Sequence, residues 1–194
     1  MRGSVPPAEA ARALREGRVV LIPTETVVGL VATEGGLDRI RQIKGRDADK
    51  PVALLCRSPE EAFGLATHVP PLARRLAELF WPGPLTLVLD LPDGGTIGVR
   101  VPAESAVRRV LEAYGGPLYA TSANLSGKPA PRGLDEVDPR VSIAVDLAVE
   151  GEPGCGEASA VVDLSGGRRR LLRATDELSE ERLTRLAMGD ENRR

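Results

Sequence analysis

Three cations stand close together in the stretch Lys44-Gly45-Arg46-Asp47-Ala48-Asp49-Lys50-Pro51. An arginine can hold two phosphate oxygens at once, and a lysine neutralises them as a point charge. Gly45 lets the backbone come close to a ligand. Asp47 and Asp49 are interleaved with the cations, so a solvated mixed-charge loop fits the same residues. The segment by itself leaves both readings open.

A second group of polar residues follows an apolar run. Leu118-Tyr119-Ala120 leads into Thr121-Ser122-Ala123-Asn124-Leu125-Ser126-Gly127. Hydroxyls, an amide and a glycine at the end of a buried strand leave room for a ligand and supply donors that orient it. The same residue types also favour a plain turn. Pro23-Thr24-Glu25-Thr26-Val27-Val28-Gly29-Leu30 repeats the pattern after Val19-Val20-Leu21-Ile22. Arg100 lies inside the apolar run Ile97-Gly98-Val99-Arg100-Val101-Pro102. A guanidinium there is costly unless it meets an anion, either an internal carboxylate or that of a substrate. Arg173 closes another strand-like run in the same way.

What is missing narrows the chemistry. There is no Gly-x-x-x-x-Gly-Lys-Ser/Thr and no Gly-x-Gly-x-x-Gly. The one histidine, His68, cannot build a histidine metal cluster and reads as a residue at a surface helix end. An inventory of Lys, Arg, Ser, Thr and Asn binds anions and nucleotides, and stabilises phosphoryl charge by positioning.

The elements that must hold these groups alternate early and pair late. Helices are expected over 8–16, 37–43, 71–80 and 104–114, with starts at Ser58-Pro59-Glu60-Glu61 and Ser179-Glu180-Glu181. Strands are expected over 19–22, 51–56, 85–89, 96–101, 118–120, 141–145, 160–164 and 169–172. The strands at 85–89 and 96–101 read as a hairpin through Asp93-Gly94-Gly95, and residues 128–140 read as a loop. This pattern predicts an α/β fold, a twisted mixed β-sheet flanked by helices. One domain is expected over 1–188, with a polar C-terminal tail at 189–194.

With 194 residues the chain can bury a full core, and 42% hydrophobic with 28% charged residues is an ordinary globular balance. A net charge of −2 argues against a wholesale nucleic-acid coat. Cys56 and Cys155 make no disulfide framework, and Cys56 reads as a small core residue. No apolar run approaches the roughly 18 residues of a membrane span. The N-terminal stretch has no apolar signal core, so a cytoplasmic location is expected.

Taken together, six stretches resemble the YrdC-like family of threonylcarbamoyl-AMP synthases. They are Pro23-Thr24-Glu25-Thr26-Val27-Val28-Gly29-Leu30, Ile43-Lys44-Gly45-Arg46, Lys50-Pro51, Trp81-Pro82-Gly83-Pro84-Leu85-Thr86, Gly98-Val99-Arg100-Val101-Pro102 and Thr121-Ser122-Ala123-Asn124-Leu125-Ser126-Gly127. The resemblance implies a large, concave, basic sheet face. It also implies an enzyme that condenses L-threonine, bicarbonate or CO2, and ATP, with Mg2+, to threonylcarbamoyl-AMP and pyrophosphate. A separate transferase would then pass the product to an adenosine beside the tRNA anticodon.

The resemblance implies that Thr24, Arg100, Ser122 and Ser159 hold threonine, with Arg100 on its carboxylate. It places Lys44, Arg46, Lys50, Thr96, Asn124, Arg132 and Arg173 around ATP, with Lys44 and Arg46 foremost in stabilising charge, and it identifies no metal ligands. Three positions depart from the family pattern. Val28 stands where tyrosine is usual, which implies a lost aromatic wall near the threonine pocket. Ala160 replaces a threonine, and Ala174-Thr175 follows Arg173. Two rival readings follow: a paralogue that adenylates another carbamoylated amine, and a non-catalytic module that binds structured RNA. With 3% aromatics there are few platforms for stacking single-stranded bases. Recognition of RNA by backbone shape would not need them.

Overall fold

A computed structural model describes residues 4–45 and 52–189. In chain order the elements are β1 (Ser4–Val5), α1 (Pro7–Arg15), β2 (Val20–Ile22), β3 (Gly29–Ala32), α2 (Leu37–Lys44), β4 (Ala53–Leu55), α3 (Pro59–Gly64), α4 (Pro71–Phe80) and β5 (Leu85–Asp90). There follow β6 (Thr96–Arg100), α5 (Ser105–Tyr114), β7 (Leu118–Ser122), α6 (Pro139–Ala144), β8 (Leu147–Val149), β9 (Ala160–Asp163), β10 (Arg170–Arg173) and α7 (Glu180–Met188).

The strands form one mixed sheet in the order β1-β8-β2-β3-β7-β4-β6-β5-β9-β10. β5 and β6 pair antiparallel, as the hairpin reading requires, and so do β9 and β10. β4 pairs parallel with β6, and β5 with β9. Local signals set several ends. Ser58 accepts the N–H of Glu61 at the start of α3, and Ser179 accepts that of Arg182 at the start of α7. Gly45 closes α2 in the left-handed region (φ 58°), which a glycine adopts without steric cost.

Strand side chains alternate between faces, and this alternation makes the site. On β5, Leu85, Leu87 and Leu89 pack with Leu76 of α4 and Leu183 of α7. Thr86 and Val88 therefore face the other way, where among the described residues this part of the sheet is covered by no helix and lines a cavity. On the other half of the sheet helices cover both faces. Val20 and Ile22 pack with Leu14 and Leu111, while Val19 and Leu21 pack with Ile40 and Val141.

Three sequence readings change. Residues 141–145 are not a strand: α6 occupies Pro139–Ala144, with Asp138 accepting the N–H of Arg140 and proline at the first position. A helix-start signature outweighs the β-branched residues there, and the strand lies just beyond as β8. β3 runs straight out of the polar stretch after Pro23 and was hidden by its chemistry-bearing neighbours. The presumed loop at 128–140 contains a 3-10 turn at Leu134–Glu136 and the start of α6. His68 is exposed in the connection between α3 and α4, and Cys56 is fully buried.

Candidate functional site

The open sheet face floors a cavity of about 710 Å3. That lies within the roughly 300–1,000 Å3 usual for small-molecule sites. Strand register arranges the floor in two rows. One row reads Asp163, Val88, Gly98, Ala53, Ala120 across five strands. Its middle is small and flat. A Cβ at Gly98 would meet Thr86 Cγ2 at 3.1 Å and Ala53 Cβ at 3.5 Å. Two residues along the strands, roughly 6–7 Å away, the second row holds Arg173, Val161 and Thr86, then Arg100 and Leu55. Two guanidiniums thus share one row, and a carboxylate ends the other.

Arg100 is buried, and its neighbours fix it. Nε donates to the Gly83 carbonyl at 3.1 Å, Nη1 to Thr26 Oγ1 at 3.0 Å and Nη2 to Glu25 Oε1 at 2.7 Å. Of the two anions open to Arg100 in the sequence, the internal carboxylate is present. Three of a guanidinium's five N–H groups are taken, and the other two have no partner among the described residues. Burial raises the Glu25 carboxyl, but the charge and hydrogen bond of Arg100, with backbone N–H groups, outweigh it and hold it below its ordinary value.

Arg173 has no such carboxylate partner among the described residues. Its Nη1 donates to the Ser159 carbonyl at 3.1 Å. Burial, then repulsion from Arg100, lowers its pKa from the ordinary arginine value. It stays charged all the same, and is the less compensated of the two cations in the row.

Hydroxyls surround the arginines. Ser159 Oγ lies 2.9 Å from Thr86 Oγ1. Thr24 Oγ1 donates to the Val27 carbonyl at 2.7 Å, which uses its single proton. The 2.9 Å contact between Thr24 Oγ1 and Thr26 Oγ1 therefore has Thr26 as donor. Thr26 passes the field of Arg100 into the turn that Thr24 organises.

The residues expected from sequence fall into three groups. Thr24, Thr96, Arg100, Ser122, Ser159 and Arg173 line the cavity. Lys44, Asn124 and Arg132 are not among the residues lining it. Lys44 is buried, and its Nζ donates to the Ser122 carbonyl, to the Asn124 carbonyl at 2.8 Å and to Asn124 Oδ1 at 3.3 Å. Ser122 Oγ also donates to Asn124 Oδ1. Arg132 is exposed, with its backbone N–H on Glu136 and Nε 3.4 Å from the Gly154 carbonyl. Arg46 and Lys50 lie outside the described residues, as does the tail beyond Gly189.

Sequence reasoning gave no role to Thr26, Thr86, Asp163, Ser165 and Arg168, which also line the cavity. Asp163 Oδ1 accepts both the N–H and the hydroxyl of Ser165, while Arg168 stands 3.9 Å from Oδ2. The signal available was alternation: Ser159, Val161 and Asp163 are spaced by two, as are Thr96, Gly98 and Arg100. Among the described residues no group of three or more His, Cys, Asp or Glu side chains could hold a metal ion. Also among them, no helix is long and apolar enough to cross a membrane.

Two of the departures from the family pattern, Val28 and Ala160, are not among the residues lining the cavity. Val28 is fully buried with Val19, Leu30 and Ala123 in the core beneath α2 and α6. The valine at this position thus faces the core, while its neighbours Val27 and Gly29 line the cavity. Ala160 packs on the helix-covered face with Leu85 and Leu87.

A family model for Sua5, YciO and YrdC, described as telomere recombination, matches residues 12–175. Among the most similar relatives, a protein of Pyrococcus abyssi named threonylcarbamoyl-AMP synthase is 40% identical over 177 residues, 84% of this chain and 52% of that one. The chain thus spans about half the length of that relative. Sua5 of P. abyssi complexed with L-threonine superposes with a TM-score of 0.80 at 37% identity, covering 86% of this chain and 53% of that one. YciO of E. coli superposes with a TM-score of 0.77 at 26% identity, covering 86% of this chain and 87% of its own. With the family model matching most of its length, and a relative at this identity over most of the chain, the chain belongs to the Sua5/YciO/YrdC family.

Proposed function

We propose that the chain is a threonylcarbamoyl-AMP synthase, a nucleotidyltransferase that joins L-threonine, bicarbonate or CO2, and ATP. The observation that carries this reading is the two-row floor. One row offers two guanidiniums among hydroxyls, and the next offers a small apolar strip ended by Asp163. The first suits a carboxylate and phosphates, and the second suits a flat ring that carries hydrogen-bond donors.

The threonine amine takes up CO2 and loses a proton, giving a carbamate. A carbamate oxygen forms a bond to the α-phosphorus of ATP. The bond from that phosphorus to the bridging oxygen breaks, and pyrophosphate leaves with the electron pair. Arg100 holds the amino-acid carboxylate through its two remaining N–H groups. Arg173, the less compensated charge, steadies the phosphoryl oxygens as charge moves to pyrophosphate. No side chain forms a covalent intermediate. Mg2+ would be held chiefly by the nucleotide's own phosphates and would add positive charge to that of Arg173 against the leaving pyrophosphate. Lys44 and Asn124 act from behind, by shaping the turn after β7. Arg46, Lys50 and Arg132 complete the ATP surroundings. The reaction is placed in the cytoplasm, where a separate transferase uses the adenylate on tRNA.

Threonine is favoured over another amine because Val28 and Ala160 do not line the cavity. The test is pyrophosphate release from ATP with Mg2+, with and without L-threonine and bicarbonate. Dependence on both, lost in Arg173→Ala, is the expected result. Release independent of any amino acid, or none from folded protein that binds ATP, overturns the reading. Salt-sensitive RNA affinity that survives Arg100→Ala and Ser122→Ala would favour the RNA-binding alternative.

A further inference from the structure

Glu25 does not line the cavity, yet it touches the residue that matters most there. Oε1 accepts Arg100 Nη2 at 2.7 Å, and Oε2 accepts the backbone N–H of Glu104 at 3.1 Å. Glu104 in turn caps α5, its Oε2 accepting the N–H groups of Ala106 and Val107. The Glu25 carbonyl accepts the N–H of Cys155 at 3.0 Å. Its main chain and both carboxylate oxygens are therefore anchored to three separate segments.

This arrangement does two things to Arg100. It locks the plane of the guanidinium, because Nε, Nη1 and Nη2 each have a fixed acceptor. A fork that must meet a carboxylate with two N–H groups gains from being held before the ligand arrives. It also supplies the only formal negative charge among the three acceptors, next to a row that carries Arg173 as well. Without it no formal negative charge among the acceptors of Arg100 would offset its repulsion of Arg173.

We propose that Glu25 is a positioning residue for substrate recognition: it orients Arg100 and ties it to the start of α5, and so sets the affinity for the amino-acid carboxylate. The proposal rests on the reading in which Arg100 meets that carboxylate. A merely structural Glu25 would weaken threonine and ATP binding together, or only lower stability. A positioning Glu25 acts on threonine alone.

The experiment is calorimetric binding of L-threonine and, separately, of ATP to Glu25→Ala, Glu25→Gln and Arg100→Ala, with steady-state kinetics beside it. Arg100→Ala should weaken threonine binding. Glu25→Ala should weaken it at least about tenfold, as breaking a buried ion pair does, with ATP affinity within about twofold and KM for threonine rising more than kcat falls. Glu25→Gln keeps one acceptor but turns an amide N–H2 on the Glu104 N–H, so it should lie between; it also serves if the alanine variant fails to fold. If Arg100→Ala leaves threonine binding intact, the reading of Arg100 fails and the proposal with it. If Arg100→Ala weakens threonine while both Glu25 variants bind it normally, or lose ATP equally, Glu25 is not a positioning residue.

Discussion

Lys44 Nζ lies 2.8 Å from the carbonyl oxygen of Asn124, which ties this cation to the turn after β7. It joins the C-terminus of α2 to the end of β7 through the Ser122 and Asn124 carbonyls. A buried ammonium with carbonyl acceptors satisfies groups that would otherwise be orphaned. Lys44→Ala is expected to lower stability by roughly 2–3 kcal/mol, the cost of leaving such acceptors unpaired. Urea denaturation at neutral pH measures it. Lys44→Arg should not restore the loss, because a planar fork cannot reproduce a compact three-donor ammonium. Unchanged stability with weakened ATP binding would instead make Lys44 a direct ligand contact.

Gly98 tests the cavity floor. Its backbone is ordinary strand, so a side chain is tolerated by φ and ψ, and only space is at issue. A Cβ already comes within 3.1 Å of Thr86 Cγ2, and a branched side chain would stand up into the cavity. Gly98→Val is expected to reduce ATP affinity by about tenfold or more, since overfilling a site costs on the order of 1–3 kcal/mol. Gly98→Ala should cost much less. Binding measured on folded protein checks it, and equal affinity for all three forms would move the nucleotide elsewhere.

Much of this was legible from residue types. The cap at Ser58 with Pro59, the hairpin through Asp93-Gly94-Gly95 and the helix start at Ser179-Glu180-Glu181 all appear where local chemistry places them. Local chemistry misled where two signals competed, as at Val141, where a capping aspartate and a proline overrode β-branched side chains. The site was legible as an inventory but not as an arrangement. Arg100 announced itself as a charge in an apolar strand. Which anion met it depended on a loop 75 positions away in sequence. The roles of Thr86 and Asp163 depended on cross-strand register, which no single strand encodes. For Lys44 a cation beside a glycine suggested a ligand, while its carbonyl partners, Ser122 on β7 and Asn124 in the turn beyond it, could not be read from the local sequence.

The two thiols should separate cleanly. Cys56 is fully buried, and burial pushes its thiol up to about 12. Cys155 is exposed in the loop that crosses the Glu25–Thr26 backbone. The thiolate is the reactive species, so burial and the raised pKa both protect Cys56. A thiol reagent at neutral pH is expected to label one cysteine per native chain, at Cys155, and the second only on unfolding. Peptide mapping reads the site. Native labelling of Cys56 would show that the core around β4 opens readily.

Acid should expose the Glu25–Arg100 pair. The folded carboxyl of Glu25 is lowered from its ordinary 4.5. A group with a depressed folded pKa contributes stability that is present above the unfolded value and is lost as pH falls through the folded one. Wild-type protein should therefore exceed Glu25→Gln in stability at neutral pH, and the gap should narrow only below about pH 4.5, closing as the folded carboxyl takes its proton. The pair is largely buried, with side chains 8% exposed for Arg100 and 21% for Glu25, so added salt should shrink the gap little. Denaturation midpoints for both proteins across roughly pH 3 to 7 measure the difference directly. A gap that is constant over that range would mean that Glu25 stabilises through packing or neutral hydrogen bonds. A gap that widens in acid would reverse the sign and place the folded carboxyl above its ordinary value, with burial outweighing the charge of Arg100.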